Sequence, residues 1–438
     1  MQLSVRQREF LEALSQTESL LPHGLQSYQR ELLKPLLRHA VDNVPFYRDR
    51  LNPVFQQADA FDWSRWQEIP VFNMAEAQAA GADLHAKTLP VGNDRWVEDM
   101  TSGSTGLPLR HRRSNLTDLA SRCQTQRDLD WWDMDFGETL AFIGDIQNAK
   151  ADPPDGLKLK SWNMRGDGNF IALDLRANTE EQIRWLQRVR PRYLFSYPSL
   201  LRDLAEFVLA SGRIGLWFDK VVTTGEPLSH DVRTKTQKAF GARIFDRYGA
   251  QEIGHLAGEC PSCGQYHISA ESVLVEILDD NGLPAKPGGI GRVVVTSLYN
   301  YAMPFIRYDL GDVVEAGRPD ICLRRLPALR RILGRKRNVL TRPDGTRIAP
   351  DLQLSDLRRF LDFIRIQVIQ ISRDTIEVRY VQAESRRKPD EKALQAHLRS
   401  IFYPELVVRV VAVDAILRLP SGKFEEYVSR DNADAMCQ

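Results

Sequence analysis

The sequence predicts an α/β protein with a large N-terminal region of mixed sheets and a small α+β region at its C-terminal end, and three stretches carry that reading. Between Arg192 and Glu252 short apolar strands alternate with amphipathic helices. After Ile268 the apolar period drops to two. Beyond Gly334 a helix, a hairpin, a second helix and a strand follow within about a hundred residues, the size of a small domain.

In the first stretch, Tyr193-Leu194-Phe195-Ser196-Tyr197 reads as a strand. Ser199 is then placed to cap a helix whose Leu200, Leu201, Leu204, Phe207 and Val208 share one face, ending before Gly212. Lys220–Thr224 is the next strand and runs into the turn Gly225-Glu226-Pro227-Leu228. Ser229 caps a helix stopped by Gly241, and residues 242–246 return as a strand leading into Tyr248-Gly249-Ala250-Gln251-Glu252. Both turns follow strand carboxyl ends, where an open parallel sheet binds its ligands.

Upstream, apolar residues recur at helical spacing over 5–21 and 26–41, with Leu11, Leu14, Leu32, Leu33, Leu36, Leu37 and Val41 as the repeating positions. Downstream, Val273, Val275 and Ile277 alternate toward a turn at Asp279-Asp280-Asn281-Gly282 and a partner strand over 291–298, an antiparallel pattern. Arg307-Tyr308-Asp309-Leu310-Gly311-Asp312 places two carboxylates near a glycine turn, suited to gripping sugar hydroxyls or a cation, although acids in a loop are commonly just solvated. The basic stretch 323–342 breaks at Gly334, the candidate boundary. Beyond it come a helix over 351–361 and a hairpin with Ile364, Ile366 and Val368 facing Ile376, Val378 and Tyr380. A helix over 389–402, a strand over 407–413 and the turn Ser421-Gly422-Lys423-Phe424 complete the chain.

Composition narrows the partners. Fifty-nine lysines and arginines oppose 58 acids in 438 residues, so no global field attracts nucleic acid or an anionic membrane. Residues 1–16 lack an apolar signal core, and nowhere do the ~18 uncharged apolar residues of a spanning helix run together, so a soluble cytoplasmic protein is expected. Five cysteines argue for reduced thiols and a metal site rather than a disulfide framework.

Thr101-Ser102-Gly103-Ser104-Thr105-Gly106 combines two glycines with hydroxyl donors and can wrap a phosphate chain, though a Ser/Gly surface turn has the same composition. The lysine spacing of a Walker-type loop is absent.

Taken with Gly225-Glu226-Pro227-Leu228, Tyr248 to Glu252, Arg307 to Asp312, Gly334-Arg335 and Ser421-Gly422-Lys423, this loop makes an ordered set. The set resembles the adenylate-forming superfamily of acyl-CoA synthetases, most closely its phenylacetate–CoA ligase-like, or CapK-like, branch. The resemblance implies a large ATP- and acyl-binding domain, residues 1–333, hinged to a small mobile domain, residues 334–438, with monomer and homodimer equally compatible. It implies activation of an aromatic or other compact acid through an acyl-adenylate, then transfer to coenzyme A; an amine, hydroxyl or carrier-protein thiol is the alternative acceptor. Loop 101–106 would cradle the β- and γ-phosphates, with Thr105 beside Lys423 and Glu252 as the catalytic set. Gly225, Glu226 and Pro227 would border the adenine, Tyr248 and Gly249 would lie against it, Asp312 would hold the ribose and Arg335 the ribose or phosphate. Glu252 would hold Mg²⁺. Lys423 would neutralise the carboxylate and α-phosphate as the bond forms. Two departures stand out: Leu107 replaces a common lysine, leaving the pyrophosphate to Arg110, His111, Arg112 or Arg113, and Arg337 occupies the hinge position.

Cys260-Pro261-Ser262-Cys263-Gly264 is a knuckle-like turn, and two thiolates at this spacing match tetrahedral zinc, which needs four ligands. By resemblance to the same branch, His267 and Cys322 complete a structural Zn²⁺ site, with His255 as substitute. Unliganded buried thiols are the alternative.

Overall fold

The computed structural model describes residues 3–55, 60–91, 95–101, 108–146, 151–212, 215–336, 339–348, 354–383, 387–417 and 424–430. Its contacts divide the chain into two compact units, one of residues 1–140, 159–170 and 245–332, the other of 141–158, 171–244 and 333–438.

The first unit opens with the helices Val5–Thr17 and Pro22–Asn43. Ser4 and Gln7 cap the first reciprocally, each side chain accepting from the other's backbone N–H. The second continues through Pro35 because Leu33, Leu36, Leu37 and Ala40 are buried along one face, and that packing outweighs one lost hydrogen bond. Strands then lie side by side in the order Val273–Leu278, Ile290–Ser297, Tyr308–Ala316, Ala328–Arg335, Tyr266–Ile268, Gly254–Glu259 and Arg243–Ala250. Val275 faces Val295 and Ile277 faces Val293 in an antiparallel pair, as the period of two requires.

Two predicted turns are strand instead. Tyr248 and Gly249 lie inside Arg243–Ala250, and Asp309 to Asp312 lie inside Tyr308–Ala316. The glycines mark local irregularities within continuing ladders: the register slips between Tyr248 and Gly249, and between Arg292 and Val294 on the strand opposite Gly311. The basic stretch at 323–342 contains the strand Ala328–Arg335, whose Arg330 and Arg331 both grip the buried Glu315 carboxylate at 2.6 Å. Trp132 is core: it stacks on Phe245 and donates to the Glu259 carbonyl at 2.8 Å.

In the second unit Tyr193–Ser196 and Lys220–Thr224 pair in parallel, Leu194 against Val221. The following helix is Pro198–Ser211, starting one residue before the expected cap, because proline fills the first helical position without losing a bond. Ser199 therefore does not cap it. The helix His230–Phe240 is capped as expected, Ser229 Oγ accepting from the Val232 N–H at 3.3 Å, and stops at left-handed Gly241. Ser229→Ala is expected to cost about 1 kcal/mol, read as a lower urea midpoint at unchanged slope; an unmoved midpoint would show that water replaces the cap.

The C-terminal part holds four strands in the order Val407–Ala412, Thr375–Gln382, Phe363–Ser372, Tyr427–Ser429, with the helix Glu391–Ile401 supplying Leu394 and Leu398 to their core. Val368 faces Val378 and Ile366 faces Tyr380. Ile364 departs from the predicted face and is 64% exposed, since a register slip between Phe363 and Arg365 turns Phe363 inward in its place. The described part of the segment read as a helix at 351–361 is a tighter 3₁₀ turn, Leu354–Arg359.

Candidate active site and metal centre

Thr101 closes the neck of the glycine loop. Its N–H donates to the Leu109 carbonyl and the Leu109 N–H to its Oγ1, both at 2.9 Å, where strands Trp96–Met100 and Arg110–Ser114 meet. Ser102, Gly103, Ser104, Thr105, Gly106 and Leu107 lie outside the described residues. Arg110 and Arg112 reach across the ribbon to Glu98 at 3.1 and 2.8 Å, and Arg113 donates to the Gln251 carbonyl at 3.0 Å. His111 is wholly buried; burial pushes its pKa down, and the Glu252 charge is the strongest influence opposing that.

The strand pair that bears Tyr248 and the strand that bears Asp312 meet at one hydrogen bond, from the Tyr248 hydroxyl to Asp312 Oδ2 at 2.7 Å. Gly249 is needed beside it, because a Cβ there would come within 2.8 Å of the Gly254 carbonyl oxygen. Glu252, at the turn between Arg243–Ala250 and Gly254–Glu259, is 3% exposed and accepts from the Tyr308 hydroxyl at 3.4 Å. Among the described residues no lysine or arginine pairs with it. A buried carboxylate with no protein cation is a ready ligand for a hard metal ion such as Mg²⁺.

In the second unit, Gly225 takes a positive φ of 81° and, like Pro227, is exposed beside Glu226. Glu226 gathers three donors: the Ser199 N–H on Oε2 at 2.8 Å, and the Ser199 hydroxyl and the Phe424 N–H on Oε1, both at 3.0 Å. Arg202 pairs with Glu426. Lys423 and Arg337 lie outside the described residues, and Arg335 is half-buried at the end of its strand. In the sequence Ser199 reads as a helix cap, Arg202 as an ordinary helix residue and Tyr308 only as part of the motif that carries Asp312, so none of them points to these partners.

No family model matches the chain. It is 26% identical over 309 residues to a phenylacetate–coenzyme A ligase of Thermus thermophilus, covering 68% of this chain and 66% of that protein. A Pseudomonas putida protein of the same name is 24% identical over 69% of each chain, and CapK of Staphylococcus aureus is 26% identical over 56% of this chain and 54% of its own. The matched stretches thus span about two thirds of the ligases' length and about half of CapK's. These similarities support the adenylate-forming superfamily, and within it the phenylacetate–CoA ligase-like branch. The fold of the chain is that of 2-hydroxyisobutyryl-CoA ligase solved with 2-HIB-AMP in the postadenylation state, with a TM-score of 0.74 at 17% identity over 97% of this chain and 94% of that one. The amide bond synthetase of Marinactinospora thermotolerans shares it at a TM-score of 0.52 and 18% identity, over 77% and 70% of the two chains.

The chain also carries a four-residue cluster. One ligand atom from each of Cys260, Cys263, His267 and Cys322 lies within 4.8 Å of all the others, while His255 is engaged elsewhere, with Asp128 at 2.6 Å and Ser269 at 2.8 Å. Cys260 and Cys322 sulfurs are 3.8 Å apart and Cys263 Sγ is 3.7 Å from His267 Nε2. A tetrahedron with metal–sulfur bonds of about 2.3 Å has edges of about 3.8 Å, so the set fits a four-coordinate metal. Burial pushes the Cys260 thiol up, but hydrogen bonds from His267 and from the Cys263 and Ser262 N–H groups prevail and hold it at about 5. Cys263 is pushed up to about 11 by burial and by the neighbouring Cys260 thiolate.

Proposed function

We propose that this chain activates a carboxylic acid, aromatic or otherwise compact, with ATP and transfers the acyl group to the thiol of coenzyme A. The observation that carries the reading is the Tyr248–Asp312 hydrogen bond, which joins two motifs distant in sequence, the first of which also carries the buried carboxylate Glu252. The names of the Thermus and Pseudomonas relatives support the same chemistry. In the first half-reaction a carboxylate oxygen attacks the α-phosphorus and the bond to pyrophosphate breaks. In the second, the thiol sulfur attacks the acyl carbon, AMP leaves with the electron pair of the C–O bond, and the thiol proton is released.

Asp312, oriented by Tyr248, accepts the ribose hydroxyls. Gly225, Glu226, Pro227 and Gly249 border the adenine, and Thr101 to Gly106 cradle the phosphates with Thr105 among the reacting groups. Glu252 holds Mg²⁺, which supplies charge neutralisation at the phosphates when bound. Lys423 stabilises charge on the carboxylate and α-phosphate, and Arg335 grips the ribose or phosphate. Residues 334–438 form the small domain that brings Lys423 in and withdraws it, and residues 1–333 bind ATP and acid. The Cys260, Cys263, His267 and Cys322 set holds a structural zinc, a role that suits a reducing, cytoplasmic setting.

ATP–pyrophosphate exchange across aryl, aliphatic and amino acids tests the reading. Exchange with one acid class, with AMP release stimulated by coenzyme A, is expected; exchange without that stimulation would move the acceptor to an amine, hydroxyl or carrier thiol. Protein that binds ATP yet exchanges with no acid would overturn adenylation. Asp312→Asn is expected to lower kcat/KM for ATP by about 10- to 100-fold, the worth of a charge-assisted hydrogen bond; an unchanged value would remove Asp312 from the ribose.

A further inference from the structure

We propose that Tyr308 is a positioning residue for the reaction: its hydroxyl aims the Glu252 carboxylate at the metal ion that accompanies the nucleotide, and Arg307 locks the backbone that presents it. The inference rests on the proposed role of Glu252.

Arg307 is 2% exposed and adopts a φ of +56°, the left-handed region that a long side chain enters only when its surroundings force it there. They do so here. Its guanidinium donates to the carbonyls of Gln67 at 2.8 Å and Ile69 at 2.6 Å and to Gln67 Oε1 at 2.9 Å. It also grips both oxygens of Glu276, at 3.0 and 3.1 Å. Its own N–H donates to Thr296 Oγ1 at 3.0 Å and its carbonyl accepts from the Phe72 N–H at 3.2 Å. The next residue inherits that rigidity: the Tyr308 ring packs on Phe72 and Phe305, centroids 5.1 and 4.8 Å away, and its hydroxyl reaches Glu252 Oε1.

A ligating carboxylate that is itself hydrogen-bonded loses rotational freedom before the ion arrives, and removing such a partner costs about 10- to 100-fold in metal affinity. Tyr308→Phe removes one oxygen and leaves the packing of a fully buried ring intact. The test is Mn²⁺ binding with a non-hydrolysable ATP analogue, followed by electron paramagnetic resonance. Tyr308→Phe is expected to weaken binding about tenfold at an unchanged melting temperature. In a Glu252→Gln background it is expected to have no further effect, because the group it acts through is altered. Arg307→Lys, which keeps the charge but loses the planar fork, is expected to weaken binding in the same direction.

Equal Mn²⁺ affinity in wild type and Tyr308→Phe would overturn the proposal, as would an effect of the same size with and without Glu252. A wild-type chain that binds Mn²⁺ with the analogue but exchanges pyrophosphate with no acid would overturn the proposed function while leaving this inference standing.

Discussion

Lys423→Ala is expected to lose about 10²- to 10³-fold in ATP–pyrophosphate exchange, the usual cost of deleting a group aimed at developing charge. The described residues that follow Lys423 are held firmly within the second unit. The Phe424 N–H donates to Glu226, the guanidiniums of Arg202 and Arg365 lie 5.9 and 5.4 Å from the centre of the Phe424 ring, and Glu426 pairs with Arg202. These contacts fasten the strand after the lysine to the Gly225–Pro227 turn that borders the adenine in the proposed reading. Thioester formation from a pre-formed acyl-adenylate is expected to change little, because in the proposed reading the lysine acts in the first step alone. Exchange within a few-fold of wild type would remove Lys423 from the chemistry, and equal loss in both half-reactions would point to misfolding.

Stripping the proposed zinc from the cysteine cluster is expected to unfold much of the first unit. Structural zinc sites contribute about 10–16 kcal/mol in small peptides, comparable with the ~5–15 kcal/mol that stabilises a whole domain. The cluster ties the hairpin of Gly254–Glu259 and Tyr266–Ile268 to the connection between Tyr308–Ala316 and Ala328–Arg335, so its ligands come from the two strand pairs beside Glu252 and Asp312. Purified protein is expected to contain one equivalent of zinc, and both Cys263→Ser and dialysis against chelator should lower the melting temperature sharply. Metal-free protein with an undiminished melting temperature would show that the four residues are ordinary buried thiols.

Much of this was legible in the sequence because the relevant signals are local. Alternation at Val273, Val275 and Ile277 marks a strand, Ser229 a cap and Gly241 a stop, while the Cys-x-x-Cys spacing marks two metal ligands, to which the family resemblance adds His267 and Cys322. Where the reading failed, a ladder had overridden a local cue. Gly249 and Gly311 look like turn residues, yet both sit in strands whose neighbours continue to pair around a slip. The three-residue strand Tyr427–Ser429 carries too little pattern to be seen at all. Arg307 and Tyr308 belong to a motif visible in the sequence, but what they do there is not: it lies in a positive φ and in partners such as Gln67 and Glu252, both far away along the chain.

The late strand Tyr427–Ser429 lies parallel to Phe363–Ser372, where Ser429 Oγ donates to Gln370 at 2.9 Å, and the same segment supplies Phe424 to Glu226. Chains are folded as they are made, N-terminal parts first. A chain whose synthesis stops before residue 424 therefore lacks both that pairing and the Phe424 bond to Glu226, and in the proposed reading it has no anchor for the lysine and cannot start adenylation.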